Sequence, residues 1–117
     1  MKKNIVKEKS FEFAIEIVEL YKELSVEKRE YVMSRQLLKS GTSIGANIRE
    51  AEFAQSKLDF ISKMSISLKE ANETEYWLEL LNKTGYLDTV KFDLIHLKSN
   101  ELIKLLASIV KTSKKIS

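Results

Sequence analysis

The chain contains no proline, so nothing in its 117 residues forces a helix to stop. It has three glycines, and two of them, Gly41 and Gly45, fall in one stretch, LLKSGTSIGANIREA, from Leu37 to Ala51. Ser40, Thr42, Ser43, Ala46 and Asn47 make the rest of that stretch small and polar. In a helix interior each glycine costs about 1 kcal/mol relative to alanine, so a pair four residues apart needs compensation. Close approach of a neighbouring helix supplies it. A phosphate-binding loop is the rival reading, but that loop needs a following lysine and serine or threonine. Ala46-Asn47 stands there instead. The stretch reads as the small-residue face of one long helix against which a bundle closes.

Hydrophobic spacing is helical on both sides of it. Ser10 is placed to cap a first helix over 11–24, with Glu12 in its first turn. Phe11, Ala14, Ile15, Val18 and Tyr21 form one apolar stripe, and Phe13, Ile17, Leu20 and Leu24 an adjacent one. Ser25 then caps a second helix over 26–55, about 45 Å long at 1.5 Å per residue. Met33, Leu37, Gly41, Ile44, Ile48 and Ala51 share its main face, and Tyr31, Leu38, Thr42, Gly45 and Phe53 a second. Ser56 and Asp59 resemble a capping box at the start of a third helix over 57–84, which Gly85 ends. Its stripe is Phe60, Ile61, Met64, Leu68, Ala71, Leu78 and Leu81, with Glu75 inside it. Asp88 or Thr89 caps a fourth helix over 89–112, with Phe92, Ile95, Leu102, Leu106 and Ile109 on one face. The expected fold class is all-α: an up-down-up-down four-helix bundle, forming a single domain over 1–117 with short basic tails.

Composition narrows the class further. The chain is 44% hydrophobic and 32% charged, as in a globular protein. No apolar run reaches the roughly 18–20 residues that span a bilayer, and the N-terminus lacks the apolar segment of a signal peptide. A cytoplasmic location is expected, with no membrane partner. With no cysteine there is no disulfide, thiol catalysis or cysteine metal site. Charge is uneven. Four lysines against one glutamate make residues 1–10 +3, and six lysines against three acids make 86–117 +3, leaving −3 for the middle.

No catalytic, cofactor-binding or metal residue is expected. His96, the one histidine, lies between Ile95 and Leu97. It lacks the upstream arginine of the Arg-x-x-x-x-His pattern in helical RNA-cleaving domains. A di-iron bundle would need paired Glu-x-x-His motifs, and there are none. Asn47, Glu50, Glu70 and Glu75 near the apolar faces are expected to form a structural polar network. In it Glu75, with Glu70 as a second candidate, bonds Asn47, Ser40, Ser43 or Arg49 between the second and third helices. Tyr76 and Trp77 lie off the main stripe, as interface aromatics do. The second faces of all four helices carry more apolar surface than one small bundle can hide, which implies a partner, and first of all a second copy.

The residues carry a resemblance as well. Ser43-Ile44-Gly45-Ala46-Asn47-Ile48-Arg49-Glu50, the block Ser56 to Phe60, the block Leu68 to Leu78 and Gly85-Tyr86-Leu87 resemble the signature of the four helix bundle protein family. That family is also called the 23S rRNA intervening-sequence protein family. The likeness covers roughly 36–87. Ala51 stands where many members have glycine, and Gly45 where many have proline. Many members are encoded in inserts of 23S rRNA genes. The family is itself similar to the accessory protein of diversity-generating retroelements, a pentameric barrel of four-helix protomers whose basic surface engages nucleic acid and reverse transcriptase. The resemblance implies a ring-shaped homopentamer and brings no catalytic residues.

Together these readings give a non-enzymatic, homo-oligomeric accessory protein that contacts RNA or DNA phosphates, with a reverse transcriptase or other protein as a further partner. Its candidate contacts are Arg29, Arg35, Lys39 and Arg49, with Lys111, Lys114, Lys115 and the other terminal lysines. The alternative is a structural or protein-interaction scaffold with no nucleic-acid role.

Overall fold

The computed structural model describes residues 4–115 as helices α1 (Ile5–Lys22), α2 (Met33–Glu52), α3 (Lys57–Lys83) and α4 (Thr89–Lys115). There is no strand among the described residues. The first helix starts earlier than expected. Asn4, not Ser10, is its cap, accepting the Lys7 N–H at 3.1 Å. Ser10 is buried inside α1, where its hydroxyl donates to the Lys7 carbonyl at 2.9 Å.

The second helix starts later than expected, by seven residues. Glu23–Glu27 continue α1 as a π-helical turn, and Ser25 donates back to the Tyr21 carbonyl at 2.8 Å instead of capping a new helix. Arg29 then turns the chain with φ 54°, a left-handed conformation that costs an L-residue about 1–2 kcal/mol. Glu30, 8% exposed, receives the start of α2. Its carboxylate accepts the N–H groups of Val32, Met33 and Ser34 at 3.1, 3.0 and 2.7 Å. Burial alone would raise its pKa, but those N–H groups offset the rise and hold the carboxyl below its ordinary 4.5. The 20 residues of α2 span about 30 Å, shorter than the sequence suggests. Gly41 and Gly45 interrupt nothing.

The third helix follows expectation. Ser56 accepts the Asp59 N–H at 3.0 Å, and Gly85 ends the helix with φ 87°. The fourth runs three residues beyond the expected 112, to Lys115.

Of the two stripes on α1, the buried one is Phe13, Ile17, Leu20 and Leu24, while Phe11 and Ile15 stay exposed. They meet Leu37, Ile44 and Ile48 of α2, Met64, Ala71, Leu78 and Leu81 of α3, and Ile95, Leu102 and Leu106 of α4. Each of these side chains larger than alanine contributes about 1.5–3 kcal/mol by leaving water. The two glycines mark where α1 crosses α2. A Cβ on Gly41 would sit 2.8 Å from Ile17 Cγ1 and Cγ2, and one on Gly45 would sit 3.2 Å from Ser10 Oγ.

Between α2 and α3 the contact is partly polar and fully buried. Ser67 donates to the Ile44 carbonyl at 2.8 Å, and Thr74 Oγ1 lies within hydrogen-bond distance of Ser40 Oγ at 3.0 Å. Ion pairs tie the outer seams: Lys7–Glu52, Lys9–Glu101, Lys98–Glu16, Lys63–Glu50 and Lys91–Glu23. Exposed pairs of this kind are worth little each, but they record which parts of the helices adjoin.

Candidate functional site

The outward side of α2 carries charge of one sign over most of its length. From Met33 to Arg49 there is no acidic residue. At 100° per residue, Arg35, Lys39, Ala46 and Arg49 fall within about a quarter of the helix circumference, and all four are exposed. The stripe is about 21 Å long. Among the described residues neither Arg35 nor Lys39 takes part in an ion pair. The Arg49 guanidinium lies over the Phe11 ring, 4.8 Å from its centroid, a stacking that fixes the head group without neutralising it.

The other candidate cations lie elsewhere. Arg29, exposed, is in the connection just before α2. Lys111, Lys114 and Lys115 are exposed at the far end of α4, in the last turns where the helix dipole favours cations. Lys114 is already engaged in an interaction within the protein. The Lys9–Glu101 and Lys7–Glu52 pairs put that end of α4 beside the start of α1 and the end of α2, away from Arg29 and Arg35. The cations thus divide between a stripe on α2 and a cluster at one end. Lys2 and Lys3, part of the N-terminal basic segment, lie outside the described residues.

The expected polar network is rearranged. Asn47 donates within its own helix, to the Ser43 carbonyl at 2.8 Å. Glu50 reaches α3 through Lys63 at 3.2 Å. Glu70 is half-buried, and its carbonyl accepts from Thr74 at 2.8 Å. Glu75 bonds none of Asn47, Ser40, Ser43 or Arg49. Thr74 takes the position facing α2, and one residue further on the helical turn carries Glu75 round to α4. There Glu75 Oε1 lies 3.1 Å from Nε2 of His96, the carboxylate neighbour that the sequence had not revealed for that histidine. Phe92 stacks on the imidazole, with ring centroids 4.9 Å apart. Glu79, one turn beyond Glu75, completes a cluster whose ligand atoms lie within 4.8 Å of one another. A signal for this pairing was present. Glu75 stands ten residues before Gly85 and His96 eleven after it, and residues equidistant from a tight turn meet when two helices fold back on each other.

Apolar surface remains uncovered on the α1–α4 side. Ile15 of α1 and Val90, Leu94 and Leu97 of α4 are exposed, Leu97 at 70%. Between those helices Ile15, Leu20, Leu87, Leu94 and Ile95 line a groove of about 330 Å³, rimmed by Glu16, Glu19, Glu23 and Lys91. No helix of the described residues is long and apolar enough to cross a membrane.

Residues 2–108 match the family described as 23S rRNA-intervening sequence protein. The chain belongs to that family. The family match extends the likeness from the two central helices to nearly the whole chain. A crystal structure at 1.70 Å of a protein of unknown function from Bacteroides thetaiotaomicron VPI-5482, assigned to the S23 ribosomal protein family, is 62% identical. It superposes with a TM-score of 0.91 over 95% of this chain and 99% of that one. No curated protein matches. Neither the 23S rRNA-intervening sequence family description nor the description of that structure names an enzyme.

Proposed function

We propose that this member of the 23S rRNA-intervening sequence family is a non-enzymatic accessory protein. Its protomer is an up-down-up-down bundle that assembles into a ring-shaped homopentamer in the cytoplasm and holds RNA or DNA by its phosphates. The observation that carries the nucleic-acid part is the acid-free outer stripe of α2, where Arg35, Lys39 and Arg49 stand exposed over about 21 Å. Unpaired cations in a row neutralise a phosphate backbone without reading base sequence. Repetition around a ring would multiply three contacts per protomer into a continuous basic surface.

The up-down-up-down order is supported by which residues meet: Lys7 with Glu52, Ser40 with Thr74, Glu75 with His96, Lys9 with Glu101. In the first three pairs the early part of one helix lies beside the late part of another, and from Lys9–Glu101 to Glu23–Lys91 the contacts run in opposite directions along α1 and α4. The self-association is supported by the apolar face of α1 and α4, which a monomer would leave in water. That same face favours the second reading, a scaffold for a protein partner such as a reverse transcriptase, with the cations serving only solubility.

Salt titration of binding to a structured RNA and a DNA duplex discriminates. Affinity should fall by orders of magnitude between about 50 and 200 mM salt. The Arg35→Glu, Lys39→Glu double variant should bind far more weakly at every salt concentration and show a shallower slope. Salt-independent binding, or equal binding by the variant, would overturn the phosphate-contact reading. Absence of any binding would leave the scaffold.

A further inference from the structure

We infer that Glu75, Glu79 and His96 form a binding site for a divalent transition-metal ion of the zinc class, clamping α3 to α4. Three observations converge on it. First, the ligand atoms of the three side chains lie within 4.8 Å of one another, two from one face of α3 at i and i+4 and one from α4. Second, Glu75 Oε1 is buried and has no partner but His96 Nε2, which faces it at 3.1 Å. A carboxylate oxygen and an imidazole nitrogen at that distance, with a second carboxylate beside them, are placed as ligands of one ion would be. With metal–ligand bonds of about 2.0–2.1 Å, neighbouring ligands sit about 3.3 Å apart in a tetrahedron and about 3.0 Å apart in an octahedron. The observed separation falls between the two.

Third, the imidazole is oriented from behind. Phe92 stacks on the ring with an interplanar angle of 21°. The Asn100 side-chain amide lies 3.4 Å from Nδ1. Turned to present its oxygen, that amide accepts the Nδ1–H and leaves the Nε2 lone pair directed at Glu75, the outer-shell arrangement that metal-binding histidines use. Glu79, exposed, supplies its oxygen by a change of side-chain rotamer. One nitrogen and two carboxylate oxygens, with no thiolate, suit zinc, cobalt, manganese or iron in the divalent state. Water completes the coordination on the exposed side. The site is independent of the α2 stripe and of the nucleic-acid reading.

The test uses the full-length protein, freed of metal with a chelator. Zn²⁺ at ten times its dissociation constant should raise the melting temperature by about 5 °C. Co²⁺ should give a visible absorption band that Zn²⁺ then abolishes by displacement. Glu79→Gln, at an exposed position that the fold does not need, and His96→Gln should each weaken Zn²⁺ binding tenfold or more and lose the Co²⁺ band. A wild type whose melting does not respond to Zn²⁺ would overturn the site. So would an equal response to Mg²⁺, which marks mere charge screening, or an undiminished response in either variant, which places the ion elsewhere.

Discussion

Gly41 and Gly45 differ in what surrounds them, and that difference is measurable. A methyl group on Gly41 meets the branch point of Ile17, which cannot swing away, at 2.8 Å. One on Gly45 meets a serine hydroxyl at 3.2 Å, which need yield only a few tenths of an ångström. Gly41→Ala is therefore expected to lose stability in urea melts, and Gly41→Leu to lose on the order of 1–3 kcal/mol or more. Gly45→Ala should fall near zero, because relief of the glycine's helix cost of about 1 kcal/mol opposes the tight contact. Equal melting of wild type and Gly41→Leu would mean that Ile17 does not occupy the space the glycine leaves. Between α2 and α3, Thr74→Val removes the hydroxyl that faces Ser40 and should cost about 1 kcal/mol.

Glu30 decides where the second helix begins. Three N–H groups without partners in the helix find one carboxylate, so Glu30→Ala should fray the first turn of α2 and cost about 2 kcal/mol in chemical unfolding. Its pH dependence has a definite sign. The folded carboxyl titrates below its ordinary value of 4.5, so its stabilisation is full above that value. It fades as pH falls through the lower folded value. Between pH 5 and pH 3, roughly, wild type should lose more stability than Glu30→Gln. Parallel losses in the two proteins would show that the cap contributes through shape alone. The π turn before it explains why the break was missed. No proline or glycine marks residues 26–32, and helical periodicity runs through them with Val26, Tyr31 and Val32 standing exposed.

For the whole molecule, the exposed row Val90, Leu94 and Leu97 predicts assembly. Light scattering should give a multiple of the 13.5 kDa chain mass, five for the proposed ring. Leu97→Glu, at a position 70% exposed in the protomer, should shift the mass toward one chain while leaving far-UV helicity intact. A monomeric wild type would remove the ring, and with it the continuous basic surface that three cations per protomer need in order to bind tightly.

The sequence by itself determined the helical class, the third helix nearly to the residue, the small-residue packing face at Gly41 and Gly45, and the family. Each rests on local spacing: periodic apolar positions, the cap at Ser56, and signature blocks that are contiguous in the chain. What it misplaced was set by three-dimensional competition. Ser10 reads as a cap, yet α1 extends past it because Gly45 opens a slot that only a small buried residue can fill. Ser25 reads as a cap, yet its hydroxyl turns back while Glu30, four residues short of Ser34, collects the free N–H groups. Glu75 reads as a core carboxylate facing α2, and it was the rotation of α3 against its neighbours that gave Thr74 to Ser40 and Glu75 to His96. Periodicity names the face of a helix to within about one residue's rotation, and one residue's rotation, 100°, is the difference between two neighbouring helices.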